Sequence, residues 1–183
     1  MEFKIIKKQD LHPSVWNGGE TFEYFIFPQG VEYSKRNFLF RISSASIKKI
    51  PSDFTRFENF KRYLVMLDNR LEIVRNGIPE TYAEDEIFEF DSNDKIVSVS
   101  PGNDFNLMVS NAVGYSSVLL TRLTGEIKNE FVCCFAKTET KIEFDQTKII
   151  LKPNDLLLIH NSEKKLFQIK SDNRLIVAFI AID

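Results

Sequence analysis

Short runs that alternate apolar and polar residues recur along the chain about every ten residues. The N-terminal half contains "FKII", "TFEYFIF", "NFLFRISSASI", "RYLVMLDN", "LEIVRNG", "DEIFEF", "KIVSVS" and "DFNLMVSN". The rest contains "SSVLLTRL", "FVCCFAK", "TKIEFD", "TKIILKPNDLLLIHN", "KLFQIK" and "RLIVAFIAID". Turn-forming clusters such as "WNGG", "PQG", "RNG", "SND", "SPGN", "TGE" and "SDN" separate these runs. A period of two with turns at this spacing predicts an all-β sandwich or barrel. One stretch, "PSDFTRFENF", is expected to hold a short helix or turn capped by Ser52 or Asp53.

An internal repeat sharpens the architecture. Slid by about 70 residues, "DEIFEFDSNDKIVSVSPGNDFNLMVS" lies over "DLLLIHNSEKKLFQIKSDNRLIVAFI" without a gap. Both read as an acidic residue, an apolar strand, a polar turn, a strand, an Asn and a strand. Two β-units are expected, residues 1–110 and 111–183, packed as one compact globule. In "LKPNDLLLI" an apolar residue, Pro, a turn and Asp precede a strand, as at the Pro-Gly-Asp corner of cupin barrels. Asn154 takes the Gly place, and Asn tolerates positive φ better than most residues. Two such units in tandem predict a bicupin with few short helices.

Composition narrows the partners. The formal charge is −2, with Lys and Arg scattered among Asp and Glu, so no basic surface awaits a nucleic acid. No apolar run approaches the ~20 residues of a membrane span, and the charged start "MEFKIIKKQD" does not read as a signal peptide. Cys133 and Cys134 are adjacent, so in a strand they point to opposite faces. Reduced, partly buried thiols and a cytoplasmic location follow as expectations. Exposed sheet edges leave room for a homodimer.

Candidate chemistry is sparse. His12 and His160 lie in different segments and no C-x-x-C spacing occurs, so neither a metal nor another cofactor is expected. Phosphate-binding glycine loops and a nucleophile elbow are absent from the sequence. What stands out is a set of polar residues inside apolar strands. Arg41 shares a strand face with Ser43, Arg62 opens a core strand, and Asp104 shares a face with Asn106. Each needs a partner once buried. They could satisfy one another, Arg62 with Asp104 for example. They could equally line a lumen whose guanidinium groups grip a small carboxylate. A third reading is a metal-independent isomerase or hydrolase with Glu23 or Asp104 as base. Trp16, the chain's single Trp, is either a hairpin plug or the rim of a site.

Taken in order, "WNGG" with Glu23 close behind, "FRISSASI", "FTRFENFKRYLVML", "FEF" and "DFNLM" resemble the HutD/Ves family over about Leu11 to Ser110. The resemblance implies a bicupin, some members of which are encoded with histidine-utilisation enzymes. It implies a small-molecule-binding protein, regulatory and without established catalytic activity; together with the Arg41, Arg62 and Asn106 cluster, the expected ligand is a small acidic metabolite. The family's motifs fall on Trp16, Asn17, Gly18 and Gly19, on Arg41, Ile42 and Ser43, on Phe54 to Phe57 with Arg62, and on Asp104 to Met108. The ligand set this implies is Trp16, Asn17, Gly18, Gly19, Glu23, Arg41, Ser43, Arg62, Asp104 and Asn106. Asn17, Gly18 and Gly19 would form a loop whose backbone approaches the ligand, anchored by Trp16. Glu20 stands where relatives often carry a third Gly, which marks it as this member's own pocket residue.

Overall fold

The structure is a computed structural model that describes residues Met1–Ile182. It is all-β, a bicupin whose chain divides into two compact units, Leu11–Ala112 and Met1–Asp10 with the chain from Val113 onward. The chain opens with β1 (Glu2–Ile6). The first unit then contains β2 (Ser14–Trp16), β3 (Gly19–Phe27), β4 (Phe40–Ile47), β5 (Ser52–Asp53), β6 (Phe60–Met66), β7 (Leu71–Arg75), β8 (Ile78–Tyr82), β9 (Ile87–Asp91), β10 (Ile96–Ser98) and β11 (Gly102–Ser110). Its sheets run β2-β3-β4-β11-β6-β9 and β5-β10-β7-β8. The second unit contains β12 (Tyr115–Thr121), β13 (Thr124–Ile127), β14 (Phe131–Phe135), β15 (Thr140–Phe144), β16 (Thr147–Leu151), β17 (Leu156–His160), β18 (Phe167–Ser171) and β19 (Leu175–Ala181). Its sheets run β1-β17-β14-β19-β12 and β13-β18-β15-β16.

The sheet orders make the repeat visible. The series β9-β6-β11-β4 has the same connectivity as β17-β14-β19-β12, and β5-β10-β7-β8 the same as β13-β18-β15-β16. In each unit apolar residues of both sheets meet in one core. Leu64, Met66, Phe88 and Phe90 pack with Leu71, Ile73 and Ile96 in the first. Val132, Cys134, Leu157 and Val177 pack with Ile142, Phe144, Phe167 and Ile169 in the second.

The Pro-turn-Asp corner is built as its residue types require. Asn154 takes a positive φ of 68°, and its N–H donates to the Ala136 carbonyl at 2.7 Å. Asp155 accepts from the Lys152 N–H through one oxygen and from the Lys8 N–H through the other, both at 3.1 Å. The first unit repeats the device in "AEDE". There Asp85 has φ of 69°, its N–H points to the Met66 carbonyl at 3.5 Å, and Glu86 accepts from the Ala83 N–H at 2.8 Å. Glu86 is therefore the counterpart of Asp155, one residue from the Asp85 that an ungapped slide selects.

Two expectations change. The opening strand does not belong with residues 11–110. It pairs antiparallel with β17, Glu2 opposite His160 and Ile6 opposite Leu156, and so satisfies the outer backbone groups of that strand while burying Ile6. The segment "PSDFTRFENF" forms no helix; it holds β5 and a turn at residues 58–59. Ser52 and Asp53 pair with Ser98 and Val97, so their backbone is in a sheet rather than a cap. Cys133 and Cys134 are both fully buried and unbridged. Burial pushes the Cys134 thiol up to about 12, so both side chains act as small apolar groups.

Candidate functional site

The first unit contains a cavity of about 290 Å³ on the inner face of its large sheet. The strand register dictates which side chains reach it. Arg41, Met108 and Arg62 sit side by side across β4, β11 and β6. Two residues along lie Ser43, Asn106 and Leu64, and two further Ala45, Asp104 and Met66. The motif "DFNLM" thus sends Asp104, Asn106 and Met108 to the interior face, while Phe105 and Leu107 pack on the other.

Both arginines are 94% buried or close to it, at 6% relative exposure. Burial on that scale demands satisfied donors. Arg41 Nε donates to Glu23 at 2.7 Å and Nη1 to the Ser43 hydroxyl at 3.2 Å. Its guanidinium lies 4.1 Å over the Tyr33 ring, a cation–π contact. Arg62 Nε donates to the Ser92 hydroxyl at 2.8 Å and Nη2 to the Thr55 carbonyl at 2.5 Å. Burial pulls the Arg62 pKa down, with the neighbouring Arg41 charge acting the same way and Tyr33 and Asp104 opposing.

Asp104 is strongly perturbed as well. Burial pushes its carboxyl up to about 7, against the Ala45 N–H and the charges of Arg62 and Arg41. One oxygen accepts the Ala45 N–H at 3.0 Å. Among the described residues, the hydrogen bonds of both guanidinium groups go elsewhere, so the direct Arg62–Asp104 pair is not formed. Next to it, Asn106 Oδ1 is buried without a hydrogen-bond partner.

Of the residues picked out in the sequence, Trp16, Arg41, Ser43, Arg62, Asp104 and Asn106 line this one cavity. Glu23 is not in its lining but anchors Arg41 from the rim, with its side chain 41% exposed. Asn17, Gly18 and Gly19 are outside the lining as well, and the reason for the glycines is different from ligand approach. A Cβ on Gly18 would overlap the Trp16 ring and the Ser52 hydroxyl, and one on Gly19 would overlap the Ser46 carbonyl oxygen. The Gly18 carbonyl accepts from the Lys48 and Lys49 N–H groups at 2.8 and 3.0 Å. The turn is pressed onto its own chain, and Trp16 reaches the cavity with Nε1 donating to Thr21 at 3.1 Å. Glu20 makes a surface ion pair with Lys48 at 2.8 Å, away from the lining.

Tyr33, Asp53, Thr55 and Leu64 line the cavity as well. Tyr33 lies in a short 3₁₀ turn (Tyr33–Lys35) with no periodicity to mark it. Thr55 lies inside "FTRF", where the conspicuous Arg56 points outward to Asn93. Among the described residues no three His, Cys, Asp or Glu side chains are grouped to hold a metal, and His160 stacks on Phe131 in the second unit.

A family model described as HutD matches residues 8–177. No curated protein matches this sequence. Among solved structures, HutD from Pseudomonas fluorescens SBW25 (formate condition) is 17% identical, with a TM-score of 0.85 and coverage of 98% of both chains. A conserved protein of unknown function from Pseudomonas aeruginosa PAO1 is also 17% identical, at 0.84 over 99% of this chain and 98% of that one. The bacterial pirin YhhW from Escherichia coli, in complex with nickel(II), is 11% identical, at 0.67 over 99% of each. The tandem-cupin architecture, the ordered motifs around the cavity and the match across nearly the whole chain lead to one conclusion: the protein belongs to the HutD family.

Proposed function

We propose that this protein binds a small carboxylate-bearing metabolite in the first-unit cavity and acts as a sensor or modulator in amino-acid utilisation, histidine utilisation being the family's link. The observation that carries the reading is the pair of buried arginines, Arg41 and Arg62, on one cavity wall. Each guanidinium is braced by a hydroxyl and by a second acceptor, which pre-orients its remaining donors. A guanidinium fork suits the two oxygens of a carboxylate. The volume lies at the small end of ligand clefts, ~300–1,000 Å³.

Thermal-shift screening against amino-acid-pathway acids tests the reading. An acid at 100-fold over its Kd is expected to add about 2.7 kcal/mol, and Arg41→Lys is expected to weaken it. If no acid stabilises the fold, or the arginine variant binds a hit unchanged, the reading fails.

A second reading, a metal-independent isomerase or hydrolase, is favoured by one observation. Asp104 is a buried cavity carboxyl with its pKa raised to about 7, where a general base works best. Turnover of a pathway acid that is lost in Asp104→Asn supports it. Glu23 is the weaker candidate, since Arg41 already holds it.

A further inference from the structure

We infer that the ligand is bipolar: the arginine end of the cavity takes its carboxylate, and Asp104 takes an N–H or O–H donor at its other end, so that acids lacking such a donor are discriminated against. The inference rests on the carboxylate reading above and extends it to the opposite end of the cavity.

The wall has two chemistries. Arg41 and Arg62 occupy one row of the sheet and supply only donors. Four residues along β11 from that row's Met108 lies Asp104, with Asn106 between them, and both expose acceptors. Asp104 spends one oxygen on the Ala45 N–H. Among the described residues its second oxygen has no hydrogen bond, although only 3% of the residue is exposed and it lines the cavity. Asn106 Oδ1 also lacks a partner. A buried acceptor left unpaired is costly, and Asn106 Oδ1 is one, with the open Asp104 oxygen on the same strand face, so that end of the cavity is short of donors. A molecule with a carboxylate alone satisfies the arginines and leaves this deficit standing. One with a donor opposite its carboxylate meets both needs.

The groups that bear on Asp104 are the Ala45 N–H and Arg41 from β4, Arg62 from β6 and Asp68 just after it; Asp53 lines the same cavity. Burial holds the carboxyl near neutrality, so the ionised form that accepts best is fuller at pH 8 than at pH 6.

Isosteric acids supply the test. Pyrrole-2- and pyrrole-3-carboxylate carry a ring N–H; 2- and 3-furoate carry a ring oxygen in its place. By calorimetry at pH 8, pyrrole-3-carboxylate, whose N–H lies away from its carboxylate, is expected to bind roughly tenfold more tightly than 3-furoate, the worth of a hydrogen bond to a charged group, and the 2-isomers, with the N–H beside the carboxylate, are expected to differ less. The advantage should shrink at pH 6. In Asp104→Asn the carboxamide oxygen can keep the Ala45 N–H and its NH₂ replaces the second oxygen, so the preference should reverse toward the furoates. Equal binding of both classes, or a furoate preference in the wild-type protein at pH 8, overturns the inference and leaves the carboxylate reading intact. Failure of all four acids to bind overturns both. A pyrrole preference that is the same at pH 6 and pH 8 overturns the assignment to Asp104, whether or not the variant folds.

Discussion

The two units share one strand order and differ in what they do with its interior. Matched strand by strand, Arg62 on β6 corresponds to Val132 on β14, and Leu64 to Cys134. Through the pairing of those strands with β11 and β19, Asn106 opposite Leu64 corresponds to Val177 opposite Cys134. Asp104 in the same way corresponds to Leu175. The second unit closes these positions with Val132, Cys134, Leu175 and Val177, all fully buried in one apolar cluster. The first places a guanidinium, an amide and a carboxyl there and keeps a cavity. The difference teaches that the scaffold does not need the polar residues. An apolar set holds the same strand order next door in sequence, and the ligand reading proposed above accounts for the polar set.

That contrast can be broken or sharpened by measurement. The largest effect is expected from Asp104 itself. Its folded pKa is about 7 and its ordinary value 3.8, so the unfolded chain releases its proton first as pH rises. Stability therefore falls between about pH 4 and about pH 7, by roughly 4 kcal/mol at most, and is level above. Urea unfolding at pH 5 and pH 8 should show Asp104→Asn gaining on the wild type as pH rises; parallel profiles would acquit the carboxyl. Next comes the reciprocal change in the second unit. Val177→Asn buries an amide in a filled core and is expected to cost about 3 kcal/mol in the same assay. A loss below 1 kcal/mol, on the order of a surface change, would mean the second interior has room after all.

The opposite substitution in the first unit, Asn106→Val, removes an unpartnered acceptor. It is expected to raise stability by about 1 kcal/mol while weakening acid binding. A destabilised variant would show that Asn106 serves the fold. The smallest effect belongs to Glu20→Gln. Its ion pair with Lys48 is a surface one, so stability should change by less than about 0.5 kcal/mol, and ligand affinity should stay put. A shift in affinity would return Glu20 to the pocket.

Much of this comparison is legible along the chain. Alternation and turn spacing announced the strands, and the repeat announced two units. Its register, however, is off by one where it matters. The ungapped slide sets Asn106 over Ile176 and Asp104 over Arg174, whereas the pairings set them against Val177 and Leu175. With a period of two, a slip of one residue exchanges the faces, so the loss of polarity between the units is invisible in that alignment. The polar residues of "FRIS", "RYLVML" and "DFNLM" stood out because charge inside an apolar strand is rare. Tyr33 and Thr55 did not, because loops have no period to violate and Thr55 contributes a carbonyl that any residue has.

By itself the sequence determined the fold class, the tandem plan and the face each strand residue takes, because these follow from local periodicity and turn chemistry. It also marked Arg41, Arg62, Asp104 and Asn106 as needing partners. Only the tertiary structure decided who those partners are. It assigned β1 to the second unit, gave the arginines to Glu23, Ser43, Ser92 and Thr55 rather than to Asp104, and turned the glycines of "WNGG" into a packing device. The reason is that a hydrogen bond or a desolvated charge depends on atoms brought together from distant segments, and no spacing along the chain encodes that distance.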